Sequence, residues 1–186
     1  MEPSKTKTVC FTGHRPKGII ADRPYDESNR PVYQKIVDGL TVSIERLIEQ
    51  GYTNFISGGA QGFDQLAFWA VNIVKARRPE IQNIVYKPFN GQESRWAKTG
   101  LFSQHEYDLM IKKADQIYVC DKTVDTADFK STVKALMYRN KCMVNASDHV
   151  IGQFENDSWA DPRTKSGTAD CLRYAKQMGK TIQIFQ

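Results

Sequence analysis

The sequence predicts an α/β fold in which a mostly parallel central sheet carries helices on both faces. Three observations predict it. Short β-rich runs alternate with longer helical patterns along the whole chain, the pattern of a parallel sheet covered on both sides. The 186 residues suffice for one full core and argue for a single domain over 1–186. Two irregular stretches, Arg15 to Pro31 and Asn145 to Lys165, follow strand ends and lead into helices, so both fall at the sheet edge where open α/β folds bind ligands.

The elements follow in order. Thr8 to Thr12 reads as the first strand, and Val32 to Gln50 as the first long helix, with Leu40, Ile44, Leu47 and Ile48 on one face and Gly51 as its stop. Asn54 to Ser57 is the second strand. Ala60 to Ala76 is the next helix, its face marked by Leu66, Trp69, Ala70, Ile73 and Val74. Asn83 to Pro88 and Leu101 to Lys113 form the third strand and helix, and Gln116 to Cys120 and Phe129 to Arg139 the fourth pair. Cys142 to Asn145 is expected as the fifth strand, Thr168 to Met178 as the last helix ended by Gly179, and Lys180 to Phe185 as the last strand.

Composition narrows the class. An apolar share of 40% with 25% charged residues is that of a globular protein, and no run approaches the roughly 20 apolar residues of a membrane helix. The opening, MEPSKTKTVCF, lacks an apolar signal region, so the expected location is cytoplasmic. A net charge of +5 allows an anionic partner, although the basic residues are scattered among acidic ones. The cysteines Cys10, Cys120, Cys142 and Cys171 have no short-spaced pair, which suggests neither a zinc site nor a disulfide framework. No metal or cofactor is expected.

Four segments carry candidate chemistry. In FISGGAQGFD a strand ends at Ser57, Gly58 and Gly59 permit a tight turn, and Ala60 to Gly62 start a helix whose amides suit an anion. The alternative is a turn with no ligand. The spacing is neither the dinucleotide G-x-G-x-x-G nor the Walker pattern. In FTGHRP, Gly13 allows close approach, His14 is a donor or acceptor, and Arg15 offers a planar fork to phosphate or carboxylate. In KSGTAD, Ser166, Gly167 and Thr168 precede a helix and serve either as its cap or as a phosphate site. In PFNGQESRW, Phe89 or Trp96 could stack on a base and Arg95 reach a phosphate; Trp96 equally suits a core anchor.

Taken in order, TGHRP, FISGGAQGFD, KPFNGQESRW, ADQIYVC, RNKCMVNASD and SGT resemble the YpsA-like branch of the SLOG superfamily, over nearly the whole chain from Val9 to about Lys180. The resemblance implies a Rossmann-like three-layer fold, a nucleotide or ADP-ribose-type ligand, and a homodimer. It assigns Gly13, His14 and Arg15 to the first family motif, and Ser57, Gly58, Gly59, Gly62 and Asp64 to the second. It places Trp96 after the third strand, and Asn140, Met143, Val144 and Asp148 in a fifth-strand motif. Gly167 and Thr168 match a later Gly-Gly-Thr in which Ser166 replaces the first glycine, and Asn145 stands where an Asp is usual.

Related phosphoribohydrolases carry a Glu three residues after the threonine; here that position is Cys171. Asp170 is one place early, which turns it by about 100° on a helix. Glycosidic cleavage needs a placed carboxylate, for which Asp64 and Asp148 are the candidates, each equally explained as a helix-start or cap residue. The expectation is therefore a stand-alone binder of a nucleotide-derived small molecule such as ADP-ribose or cyclic ADP-ribose, acting as a sensor or, in a phage setting, by sequestration. A nucleotide N-glycosidic hydrolase is the alternative. Single-stranded DNA binding is a second alternative, against which stand the lack of a second module, a long basic run or an aromatic-basic stripe.

Overall fold

The computed structural model describes residues 7–186; the polar opening, residues 1–6, lies outside the described residues. The order is β1 (Lys7–Thr12), α1 (Pro16–Ile19), α2 (Arg30–Glu49), β2 (Tyr52–Ser57), α3 (Phe63–Lys75), β3 (Gln82–Lys87) and α4 (Gln104–Lys113). There follow β4 (Gln116–Val119), α5 (Phe129–Asn145), β5 (His149–Gln153), α6 (Gly167–Gln177) and β6 (Thr181–Phe185). Short 3-10 turns lie at Glu27–Asn29 and Asp157–Ala160.

All six strands are parallel, in the order β4-β3-β2-β1-β5-β6. The chain moves outward from β1 to β4 and then crosses back to place β5 against the free side of β1. That reversal leaves a crevice at the carboxyl ends of β1 and β5, where doubly wound sheets take their ligands.

Alternation along the strands builds two cores. Val9, Phe11 and Phe55 face α2 and α3 and pack with Leu40, Ile44 and Val71. Cys10 and Ile56 face the other way, toward α5 and α6, and pack with Met143, Val144, Ala169 and Leu172. The architecture is the Rossmann-like three-layer α/β fold. A smaller cluster of Phe68, Val85, Tyr107 and Met110 seats α4 beside α3.

One strand lies elsewhere than expected, and the helix expected from Ala60 starts at Phe63, after Gly62. Cys142 to Asn145 is no strand but the last turn of α5, and β5 is His149–Gln153, inside a stretch expected to be irregular. The four-residue run CMVN is apolar because Met143 and Val144 form the sheet-facing flank of a helix, a distinction short apolar runs do not carry. The true strand is disguised by Gly152. A Cβ at that position would stand 2.5 Å from Leu172 Cδ2, so the glycine is what lets α6 close onto the sheet. No helix among the described residues is long and apolar enough to cross a membrane.

Candidate functional site

A cleft of about 690 Å³ opens at the carboxyl ends of β1 and β5. Its floor is Thr12, Gly13, Ala60, Asp64 and Arg139; its sides are the upper half of α5 and the segment leading into α6. Of the sequence candidates, Gly13, His14, Arg15, Ala60, Asp64, Ser166, Gly167 and Thr168 line it together. The parallel pairing of β1 with β2 makes the first two loops neighbours, as expected, and Phe63 N–H donates to His14 O at 3.0 Å across them.

The glycine-rich loop serves this cleft differently from the cradle expected of it. Ser57, Gly58, Gly59 and Gly62 do not line the cleft. The pleat turns Ser57, 1% exposed, into the interior, where its Oγ has no partner among the described residues. Gly58 leaves room for a guanidinium: a Cβ there would lie 1.3 Å from Arg139 Nη1. Gly59 abuts Met110 and Tyr107, and Gly62, at φ +92°, lets the loop press against His14 O, which a Cβ would approach to 2.4 Å. The loop's Ala60 amide is directed at Asp64 Oδ2, 3.4 Å away, so the chain's own carboxylate holds the place an external anion would take.

Arg139 is the site residue sequence reasoning missed. It lies on α5, 4% exposed, and donates Nη1 to Asp64 Oδ2 at 3.1 Å, while its Nε is buried without an acceptor among the described residues. Burial pushes the Asp64 carboxyl above the ordinary range, and the positive charges of Arg139 and Arg15 pull the other way. His14 packs its ring on Phe154 at 5.0 Å, and burial lowers its basicity.

The third wall is the start of α6. Ser166 occupies the cap position with extended backbone but makes no side-chain cap bond. The amides of Gly167, Thr168 and Ala169 have no acceptor among the described residues, and the space above Gly167 is open. A helix start of this kind carries a partial positive charge directed outward. Two cations at the cleft rim, Arg15 and Lys165, also have side chains without a partner among the described residues. The approach to α6 is held by Arg173, whose guanidinium donates to the carbonyls of Trp159 at 2.7 Å, Asp161 at 2.9 Å and Thr164 at 3.1 Å, and pairs with Asp170. Asp170 lines the cleft and is engaged there by Arg173.

The remaining candidates lie elsewhere. Asp148 accepts from Thr8 N–H at 3.0 Å and ties the starts of β1 and β5 together at the opposite edge of the sheet, so it takes no part in the cleft. Asn140 lines the cleft, but Met143 and Val144 belong to the core under α5, not to a strand. Phe89 is buried, Arg95 donates to Thr126 O at 3.2 Å, and Trp96 packs edge-on against Tyr107 at 5.3 Å. These three follow β3, two strands from β1, and do not line the cleft. The Cys171 position is 3% exposed within the α6 core, and burial pushes its thiol up to about 11.

Two comparisons bear on the chain. The family model YpsA, described as a SLOG family, matches residues 9–186. The uncharacterized SPbeta prophage-derived protein YoqJ of Bacillus subtilis (strain 168) is 31% identical over 153 residues, which cover 79% of this chain and 84% of that protein.

Proposed function

Because the chain belongs to the YpsA family of SLOG proteins, we propose that its cleft binds the phosphate-bearing end of a nucleotide-derived small molecule and holds it without cutting. The observation that carries this reading is the uncapped start of α6: the acceptor-free amides of Gly167 and Thr168, two residues that line the cleft, share it with Arg15 and Lys165. A phosphate there would take charge-assisted hydrogen bonds from groups the fold leaves unsatisfied. The volume is that of a small-molecule site.

Holding rather than cutting follows from the carboxylates. Cleavage of a glycosidic bond uses an acid or base free to exchange protons with substrate or water. Asp64 is committed to Arg139 and the Ala60 amide, Asp170 to Arg173, and Asp148 stands at the far edge. The position that carries Glu in related hydrolases holds a buried thiol. A role in sequestering a signalling nucleotide fits the prophage derivation of the relative.

The test is to denature the purified protein, identify any released small molecule by mass spectrometry, and screen empty protein against ADP-ribose, cyclic ADP-ribose and AMP by thermal shift. A true ligand at 100 times its dissociation constant adds about 2.7 kcal/mol. Steady release of a free base from any of these would overturn the holding role. No shift with any phosphate-bearing compound would overturn binding.

A further inference from the structure

The cleft has two chemically distinct halves. One is charged and preorganised: Arg139, 4% exposed with Nε unpartnered, lines the floor beside the free amides of α6 and the unpaired Arg15. The other is the upper part of α5, which contributes Val133, Leu136 and Met137. These stand at i, i+3 and i+4 and so share one helix face. These three side chains present only carbon and sulfur to the cleft. Asn140, one turn further along the same face, also lines the cleft and stands beside Gly167 and Asp170 at the charged end, where it is placed for the sugar and not the base.

We propose that the α5 strip receives the nucleobase by contact alone, so that the cleft reads phosphate and ribose and accepts purines and pyrimidines alike. The proposal rests on the phosphate-binding reading above and adds the specificity of the same site. Discriminating one base from another by orders of magnitude needs donors and acceptors fixed against its edge; an apolar wall separates similar groups only weakly. Every base has a π-face, which makes stacking contacts tolerant of identity. Met137 suits that task, since an unbranched thioether adapts its shape and makes favourable sulfur–aromatic contacts. It is 45% exposed, so its side chain is available and its replacement leaves the core intact.

The experiment measures dissociation constants for AMP, GMP, CMP, UMP and ribose 5-phosphate on the full chain and on M137A and R15A. Each variant is first checked for an unchanged melting temperature. The expected result is that the four nucleotides fall within about 20-fold of one another and all bind more tightly than ribose 5-phosphate. M137A is expected to weaken the nucleotides by about 3- to 10-fold and ribose 5-phosphate by less than about 2-fold. A preference for one base beyond that range, nucleotides no tighter than ribose 5-phosphate, or an M137A effect equal on all five overturns the proposal. R15A weakening all five probes alike marks the phosphate reading as intact. If none of the five binds, that reading falls and this one with it.

Discussion

Arg139 and Asp64 form a buried ion pair, Nη1 to Oδ2 at 3.1 Å with side chains 5% and 8% exposed, in the space that Gly58 leaves by having no side chain. The pair joins the first turn of α3 to α5, 75 residues apart, and makes the floor of the cleft one unit. Drawing two charges out of water costs several kcal/mol per ion, and only good geometry with further hydrogen bonds repays it. Asp64 has one such bond, from the Ala60 amide, whereas Arg139 Nε has none.

Removing one partner should therefore be costly. Asp64→Asn is expected to lose about 3–5 kcal/mol of unfolding free energy, because it strands a buried guanidinium. The double variant with Arg139→Met is expected to recover much of that loss. Urea denaturation of the two singles and the double gives the coupling energy directly. A double variant as unstable as the sum of the singles would mean the two side chains act independently.

Gly58→Ala tests the same floor without touching a charge. The new methyl would occupy the position of Arg139 Nη1, which cannot shift without breaking the bond to Asp64. The expected outcome is a destabilisation of about 1–3 kcal/mol, the range of overpacked cores, together with lost ligand binding.

The role of Gly58 also explains what the sequence conceals. Alternation of apolar runs made the layers and five of the six strands legible, because period and burial are local properties of a segment. The glycines at the second strand end look like a phosphate cradle for the same local reason. Their actual neighbours, Arg139, Tyr107 and the His14 carbonyl, come from distant segments, and no spacing rule places them there. Arg139 reads as one more basic residue on a helix until the fold turns it inward. Gly13, Arg15 and the Ser166–Thr168 segment were legible as cleft residues because a strand end or a helix start fixes where the chain lies. Phe89, Arg95 and Trp96 lie away from this cleft because β3 is two strands from β1, an order that local spacing does not encode.

Arg15 is expected to behave oppositely to Asp64. Its guanidinium makes no direct hydrogen bond among the described residues, but its charge favours the buried Asp64 carboxylate, so Arg15→Ala should cost about 1 kcal/mol or less, well below the loss for Asp64→Asn. Ligand affinity should fall by about 10- to 100-fold, the equivalent of a hydrogen bond to a charged group. Urea denaturation checks the first half, and calorimetric titration of the ligand identified by mass spectrometry checks the second. Unchanged affinity would remove Arg15 from the site.

Two histidines make stability fall on mild acidification. Burial lowers His149 and His14 below their ordinary 6.5, so the folded protein holds these protons less tightly than the unfolded chain. Their contribution is complete above about pH 6.5 and declines as pH falls toward the depressed folded values. His149 is 7% exposed with Nε2 unpartnered among the described residues, and its ring meets Tyr52 edge-on at 5.6 Å. Melting temperatures at pH 7.5 and 5.5 should differ less in His149→Gln than in the unaltered protein. An equal difference would assign the acid sensitivity to other groups.

Ser166→Asp separates the two uses of the α6 start most sharply. Ser166 already has the extended backbone of a cap residue, yet its hydroxyl leaves the first-turn amides free. An aspartate in that place can accept from them and sets a negative charge at the positive end of the helix, together worth about 0.5–2 kcal/mol of added stability. The same carboxylate would fill the position proposed for the ligand's phosphate and repel it. The variant is therefore expected to melt higher and bind at least about 10-fold more weakly, an opposition that follows only if the fold leaves this helix end uncapped for an anion. A variant that gains stability and keeps its affinity would place the phosphate elsewhere in the cleft, and Arg139 on the floor would be the next position to test.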